Sequence, residues 1–378
     1  MARSRPGPAN KHRGEPYNEP PVPMTCERSL GHNRPHSDKG LPAWQTPKLE
    51  HLQVTYTCQC TFCKYSAMMY RAQPSLPHRY PCSAMLPQVR DITKLAMIER
   101  TLMERLEMKV INIMQTFQRV HQDWEETCYR WLARNFGFKV NSETFHTLAT
   151  ETPYRVLLRS ASTLLQVEAL LFGQAGFLDE PLHDDYHRTL HREYTVLARK
   201  FSLHKRQLHR SHWHFLRLRP ANFPTLRIAQ FASILHKQRH LFASLMEAQH
   251  IDDIATLFHA DTTQYWHSHY RFAEPTTERP GCMGRASIQN VIINTVVPML
   301  VAYGKYNDDE ARIQRALRFL RELPPEENTI TEQWAQCGIA TPNAFDSQGL
   351  NGMLNNYCLR RRCLECIIGA SLVRPVSA

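Results

Sequence analysis

The sequence predicts a mainly α-helical protein, in which a multi-helix globular body spans residues 88–374 and an irregular, proline-rich segment precedes it. Two observations carry this prediction. Apolar residues recur at steps of three and four along most of the body, and alternating apolar and polar runs are scarce. With 42% hydrophobic and 21% charged residues among 378, the chain can bury a sizeable core, which excludes a wholly disordered protein.

The N-terminal segment, residues 1–87, holds thirteen of the 24 prolines, and no helical period persists in it. Proline fixes its own backbone and lacks the N–H that a helix interior needs, so this density works against regular structure. We expect residues 1–87 to be irregular, or to be the truncated remnant of a domain.

The body begins with a long helix from Asp91, because apolar residues continue at three- and four-residue steps as far as Phe117. Asp123 can cap a second helix, which we expect to end at Gly137. A third apolar block ends near residues 173–176. Further helices are predicted over residues 184–200, 225–248, 286–303, 308–322 and 350–370.

The body is interpreted either as one all-helical domain or as two abutting helical subdomains divided near residues 270–285. Apolar and basic residues alternate over residues 215–219, which predicts a short strand that ends at Pro220. Since strand side chains alternate between faces, Arg217 and Arg219 would then point the same way.

The expected compartment is the cytoplasm. The first 30 residues contain no apolar run of signal-peptide length, and the longest apolar stretch, residues 291–303, is shorter than the ~20 residues that span a bilayer. Eleven cysteines, an odd number unevenly placed, argue against a secreted disulfide framework. We therefore expect reduced thiols and no membrane partner.

The net charge of +11 is confined to one part of the chain. Residues 186–240 hold twelve Lys and Arg and one acid, Glu193, so this window alone carries the whole excess. The guanidinium groups of the arginines can donate paired hydrogen bonds to phosphates, and the aromatic rings between them could stack on unpaired bases. The candidate nucleic-acid-binding residues are Lys205, Arg206, Arg210, Arg217, Arg219 and Arg227.

Two other interpretations of this window stay open. It can be a solvated basic surface whose aromatic residues face the core, which is the usual meaning of a charge run, or it can contact an acidic protein partner. Salt-dependent binding to nucleic acid separates these alternatives from phosphate recognition.

A second candidate site lies near the C-terminus, where Cys358, Cys363 and Cys366 have a spacing that zinc or an iron–sulfur cluster can use. A fourth ligand must come from elsewhere. Cys337 is nearest in sequence, and Cys82 and Cys282 are alternatives. The competing interpretation is a set of buried apolar thiols in a final core helix.

Two weaker metal patterns occur elsewhere. Cys58, Cys60 and Cys63 form a second cysteine cluster within the irregular segment. His183, His187 and His191 recur every four residues, so they share one helix face, but the glutamate of the metalloprotease motif is missing. Both patterns arise easily in a chain with eleven cysteines and 20 histidines.

Several long strings in the body, including EALLFGQAGF at 168–177 and LRLRPANFP at 216–224, resemble a bacterial family catalogued as domain of unknown function 2851. Further resemblance lies in residues 123–127, 132–138, 227–231, 293–298 and 357–369, so the similarity covers roughly residues 80–374. Longer relatives are similar, in their N-terminal portion, to restriction-nuclease-like metal-dependent phosphodiesterases. Residues 1–79 here lack the clustered Asp, Glu and Lys that such chemistry needs, so the resemblance transfers no catalytic residue.

The chain also lacks a nucleophile elbow, a glycine-rich phosphate loop and a dinucleotide fingerprint, and we identify no catalytic constellation in it. The leading hypothesis is a cytoplasmic helical protein that associates with nucleic acid or another polyanion through residues 186–240. The alternatives are a structural or redox protein that binds metal through Cys337, Cys358, Cys363 and Cys366, and an interaction scaffold without a ligand.

Overall fold

A computed structural model describes residues 80–160, 162–180, 184–259, 261–277 and 281–373, all within a compact unit formed by residues 73–378. These residues are mainly helical, as predicted. The α-helices are α1 Asp91–Arg119, α2 Trp124–Phe136, α3 Ser142–Glu151, α4 Tyr154–Ser160, α5 Leu164–Gln174, α6 Asp185–Phe201, α7 Pro224–Lys237, α8 Leu241–Glu247, α9 Ile251–Leu257, α10 Arg285–Val291, α11 Val297–Tyr306, α12 Glu310–Glu322, α13 Thr329–Gln336, α14 Ala344–Met353 and α15 Ile367–Val373.

Shorter elements join these helices. The 3₁₀ turns are Ser83–Gln88, His204–Arg206, Arg210–His212, Pro220–Asn222 and Gln264–His267, and two π-helical turns are Ile292–Val296 and Leu354–Cys358. A small antiparallel pair, β1 His269–Arg271 and β2 Glu274–Pro275, is the sheet present in the described part of the chain. Its register pairs Arg271 with Glu274 and His269 with Pro275.

The larger hydrophobic core draws on helices α1 to α12 and on the start of α14, and it contains Phe136, Phe172, Phe231 and Trp266, each almost wholly buried. The apolar stripe of α1 predicted from sequence faces this core through Leu102, among others. Burial of such stripes is what stabilises helices whose individual propensity is modest.

A second, smaller hydrophobic cluster joins the residues before α1 to the C-terminal helices. It includes Tyr80, Trp334, Cys358 and Cys366, and Cys82 and Cys337 are packed against it. The rings of Tyr80 and Trp334 lie 4.2 Å apart between their centroids. At the adjacent crossing of α1 and α14, the Thr101 hydroxyl donates to the Gly349 carbonyl oxygen at 2.7 Å.

One helical stretch, Arg285–Tyr306, runs through α10, the first π-turn and α11 for 22 residues, and its most apolar 18-residue window has a mean hydropathy of 1.4. Its length and composition would suffice to cross a membrane, but 61% of its most apolar window is buried inside the protein, as in a core helix. In the wide π-turn the carbonyl oxygen of Asn294 accepts hydrogen bonds from Trp131 Nε1 at 3.1 Å and Asn135 Nδ2 at 3.3 Å.

Three predicted elements differ from the structure. The single helix expected over 225–248 is divided into α7 and α8, because the backbone leaves helical geometry after Lys237. The helix expected over 350–370 is interrupted between the second π-turn and α15. The predicted strand at 215–219 is wrong, because the backbone turns at residues 216 and 217 and Arg217 is left-handed with φ +62°.

The predicted cysteine cluster Cys58, Cys60 and Cys63, and most of the segment predicted to be irregular, lie outside the described residues. The subdomain division near residues 270–285 stays a prediction.

Candidate polyanion-binding surface

The basic window forms helix α6, the long connection that follows it, and helix α7. We call residues 202–223, the connection between α6 and α7, the basic loop. Its first half contains two short 3₁₀ turns, His204–Arg206 and Arg210–His212, and a third such turn precedes α7.

Three apolar side chains fix the first half of the basic loop to the core. Leu203, Leu208 and Trp213 are buried, whereas the basic residues between them are exposed. The Leu208 N–H donates to the Gln174 carbonyl oxygen at 2.8 Å, and Trp213 Nε1 donates to the Ala175 carbonyl oxygen at 2.8 Å. The loop therefore follows the C-terminal end of α5 closely.

Glutamine side chains add to this attachment. Gln174 is fully buried, and its Nε2 donates to the Tyr194 hydroxyl oxygen at 2.8 Å and to the Leu203 carbonyl oxygen at 3.3 Å. Gln207 Nε2 donates to the Gly173 carbonyl oxygen at 2.9 Å and also contacts the Asp179 carboxylate. Sequence reasoning missed Gln174 and Gln207, because nothing in their local pattern reveals a partner so distant along the chain.

Five of the six predicted basic residues are exposed on the basic loop, namely Lys205, Arg206, Arg210, Arg217 and Arg219. Arg210 Nη1 pairs with Glu180 Oε2 at 2.6 Å, but both side chains are about half exposed or more, so solvent weakens the pair. The other four form no ion pair with any residue that the structure describes. Their positive charge is therefore not neutralised locally by the described acids.

A turn, rather than a strand, presents Arg217 and Arg219. Leu216 at its tip is 82% exposed, which sequence reasoning also missed. The guanidinium carbon of Arg271, from β1, lies 4.7 Å from the ring centroid of Phe215 and 4.5 Å from that of Phe223. Arg271 lies outside the basic window, and its cation–π contacts to both rings stabilise the conformation of this turn.

The aromatic residues do not form the base-stacking surface that the sequence suggested. Tyr194, Trp213 and Phe231 are buried in the larger core, and Phe215 and Phe223 are partly buried against Arg271. In the basic loop, the basic residues therefore lie at the surface, whereas the aromatic residues pack against the rest of the protein.

Arg227 is a correction to the predicted binding set, because it is only 3% exposed. Its guanidinium donates to Gln230 Oε1 at 2.9 Å, Asn222 Oδ1 at 2.6 Å and Ser287 Oγ at 2.9 Å. It also lies 4.3 Å from the centroid of the Phe138 ring. Burial lowers the pKa of Arg227 to about 10, and a guanidinium held inside the fold cannot reach a phosphate at the surface.

The predicted histidine face has a structural explanation. His187 is buried, and its Nε2 lies 3.0 Å from the Phe177 carbonyl oxygen, while His191 Nδ1 lies 3.0 Å from the Leu178 carbonyl oxygen. Burial lowers the pKa of His187, which favours the neutral ring. Both rings therefore fix the chain after α5, and His183 lies outside the described residues.

The predicted thiols lie in and around the smaller hydrophobic cluster, far along the chain from the basic loop. Cys358 and Cys366 are buried, Cys337 and Cys363 are partly buried, and Cys82 joins them from the residues before α1. Cys282, the other alternative ligand, is exposed just before α10. Among the described residues, no three His, Cys, Asp or Glu side chains are already arranged to hold a metal ion.

Comparison with known proteins gives one finding. A family model described as Protein of unknown function (DUF2851) matches residues 36–329, whereas the resemblance seen in the sequence extended over roughly 80–374. The C-terminal cysteine segment therefore lies beyond the matched region. No curated protein matches the chain, and no solved structure matches it.

Proposed function

The chain belongs to the DUF2851 family, and since that family carries no assigned function, we propose one from the geometry: a cytoplasmic protein that associates with nucleic acid through its phosphate backbone. The observation that carries this proposal is the exposure of Lys205, Arg206, Arg217 and Arg219 on the basic loop without an ion-pair partner among the described residues. The proposal covers association alone and includes no reaction.

The attachment of the basic loop supports the proposal. Because buried Leu203, Leu208 and Trp213 already hold the loop in place, little of its conformational entropy remains to be lost when a polyanion binds. Arginine and lysine on such a loop supply the sequence-independent electrostatic part of nucleic-acid affinity.

Because aromatic rings of the basic window are buried, we expect the basic loop to prefer duplex nucleic acid over a single strand. Binding to unpaired bases relies on exposed aromatic faces, and Trp213 and Tyr194 offer none. Contacts to phosphate and sugar need no such faces, and they position a protein without reading sequence. We therefore expect duplex DNA or RNA to bind at least as tightly as a single strand of equal length.

Salt titration tests the proposal directly. If four cationic side chains each neutralise a phosphate, the slope of log affinity against log salt is about −3.6 for duplex DNA. The double variant Arg217→Ala/Arg219→Ala should reduce this slope by about 2. The matched control Arg119→Ala/Arg155→Ala removes the same charge from exposed positions outside the basic loop and should leave the slope unchanged.

Two results would reject the proposal: a flat salt response, or an equal loss of slope in the control. Tighter binding to single strands would reject the expected preference for duplex. Equal binding of heparin and DNA would reject nucleic acid as the preferred partner. Circular dichroism of each variant shows whether lost binding comes from lost charge or from unfolding.

A further inference from the structure

Five thiols from separate parts of the chain lie near the N-terminal half of α1. Cys82 precedes α1, Cys337 ends α13, and Cys358 ends the second π-turn. Cys363 and Cys366 lie in the turn that leads into α15. Four of the five belong to, or pack against, the smaller hydrophobic cluster, namely Cys82, Cys337, Cys358 and Cys366.

Four of the thiols are mutual electrostatic neighbours. The Cys82 thiol interacts with those of Cys363 and Cys366, and the Cys358 thiol interacts with those of Cys82, Cys363 and Cys366. Cys337 interacts with Cys82 and is not among the thiols that act on Cys358. Cys82, rather than the cysteine nearest in sequence, therefore completes the group.

The chain around these thiols is held in place by α1. Tyr357, next to Cys358, donates its hydroxyl hydrogen to Glu104 Oε1 at 2.7 Å, and Arg100 Nη1 donates to the Glu365 carbonyl oxygen at 3.3 Å. The Ile367 N–H points to Met97 Sδ at 3.4 Å. The turn between Cys358 and Cys366 is thus attached to the helix that follows Cys82.

We propose that Cys82, Cys358, Cys363 and Cys366 bind a thiophilic metal centre, either one zinc ion or an iron–sulfur cluster. Four thiolates satisfy either group, since structural zinc sites and common clusters both use four cysteines. A cysteine pair separated by two intervening residues, joined by two further cysteines, is a usual arrangement of such ligands.

The surroundings suit thiolates once a cation is present. The Cys366 sulfur accepts backbone hydrogen bonds from Ile368 and Gly369, which stabilise its negative charge. Arg100 and Arg361 add positive charge near Cys366 and Cys358, respectively.

Burial, followed by the neighbouring thiols of Cys366 and Cys363, raises the pKa of Cys82 to about 12. In the part of the chain that the structure describes, these side chains are not arranged around a common point. Metal binding replaces four protons with metal–sulfur bonds and draws the side chains together. The centre would tie the residues before α1 to the C-terminal turn, where the smaller cluster alone supplies limited apolar burial.

The first experiment uses the unaltered full chain. Alkylation followed by peptide mass spectrometry should show Cys82, Cys358, Cys363 and Cys366 protected in the protein as purified without oxygen, and reactive after chelation. Adding Zn²⁺ alone should restore protection if the centre is zinc, whereas iron and sulfide are required for a cluster. Unchanged reactivity of all four after chelation and after both additions would overturn the proposal.

The second experiment measures composition. Elemental analysis should give about one zinc per chain, or about four irons with visible absorption for a cubane cluster. Cys82→Ser should lose this metal, and Cys337→Ser is the matched control that should keep it. Metal kept in Cys82→Ser and lost in Cys337→Ser would overturn the assignment of the fourth ligand. If Cys82→Ser does not fold, the thiolate-to-cobalt absorption of the Co²⁺-loaded unaltered chain counts the thiolates, and fewer than four would contradict the set.

Discussion

Trp213 Nε1 donates a hydrogen bond to the carbonyl oxygen of Ala175 at 2.8 Å, and this contact joins the basic loop to the end of α5. The indole is buried, so water cannot replace its partner. The position of the exposed cations therefore depends on a buried neutral contact.

Trp213→Phe keeps an aromatic ring but removes the donor. Leaving a buried acceptor unpaired costs about 1–3 kcal/mol, and the smaller ring adds a packing loss. Urea unfolding should show the combined decrease, and hydrogen exchange of the Leu208 amide should accelerate. Trp334→Phe is the control, because Trp334 is equally buried and its Nε1 has no partner among the described residues. Equal losses in the two variants would contradict a stabilising role for the Trp213 hydrogen bond.

Gly176→Ala tests the approach of the loop to α5. Gly176 has φ +75°, and a Cβ there would lie 2.3 Å from the Leu208 carbonyl oxygen. Gly338 has φ +79° with no atom of the described residues within 4 Å of such a Cβ. Gly338→Ala should cost about 1–2 kcal/mol from backbone strain alone. Gly176→Ala should cost more, because the clash adds to the strain, and thermal unfolding of both variants gives the comparison. A smaller cost at Gly176 would show that the loop can move away from α5 easily.

Glu168 gives a prediction about pH. It is fully buried, it accepts hydrogen bonds from Tyr186 and Thr263, and burial raises its pKa from 4.5 to about 7. Between these values the folded state binds more protons than the unfolded state, so stability falls as pH rises from about 4.5 to about 7. The loss attributable to Glu168 is about 3 kcal/mol.

Glu168→Gln should remove that part of the pH dependence, because the amide does not ionise. Urea unfolding at about pH 5 and about pH 8 measures it as the difference between the unaltered chain and the variant. An exposed carboxyl changed in the same way, Glu322→Gln, controls for a general loss of charge. The same pH response in the unaltered chain and in Glu168→Gln would refute the assignment.

Arg227→Lys should affect stability and leave nucleic-acid binding unchanged. Lysine cannot donate to Gln230, Asn222 and Ser287 in the planar geometry of the guanidinium, and it loses contact with the Phe138 ring. If the lysine ammonium keeps one of the three hydrogen bonds, the loss of the other two, at about 1.5–3 kcal/mol each, costs about 3–6 kcal/mol. Denaturant unfolding should therefore show a lower stability for the variant, and the salt slope of its DNA binding should equal that of the unaltered chain. A reduced salt slope in a folded variant would instead indicate that Arg227 contacts the nucleic acid.

Features set by neighbouring residues could be predicted from the sequence. The Asp123 carboxylate accepts a hydrogen bond from the Glu126 N–H at 3.0 Å and caps α2, as its position before an apolar run indicated. The face of α1 that bears Leu102 was also predictable, because helical spacing alone determines it.

Features set by distant residues could not be predicted. The run from Phe215 to Arg219 alternates like a strand, but Arg271 from β1 packs against the rings of Phe215 and Phe223, and no neighbouring strand pairs with the run among the described residues. Sequence proximity likewise favoured Cys337 as the fourth thiol, whereas packing of the residues before α1 brings Cys82 into the group.

The π-turn at Ile292–Val296 limits how this chain can change in length. A π-turn holds one residue more than the α-helical ladder needs, so deleting one residue there would leave a regular α-helix. An α-helical turn with one residue fewer covers about the same angle as the π-turn that it replaces, so α11 would keep its orientation relative to α10, and Met299 and Leu300 would still face the core. A frame-preserving loss of one codon should therefore be tolerated better within Ile292–Val296 than within the regular helix Val297–Tyr306, where it would rotate every later residue of the helix by about 100°.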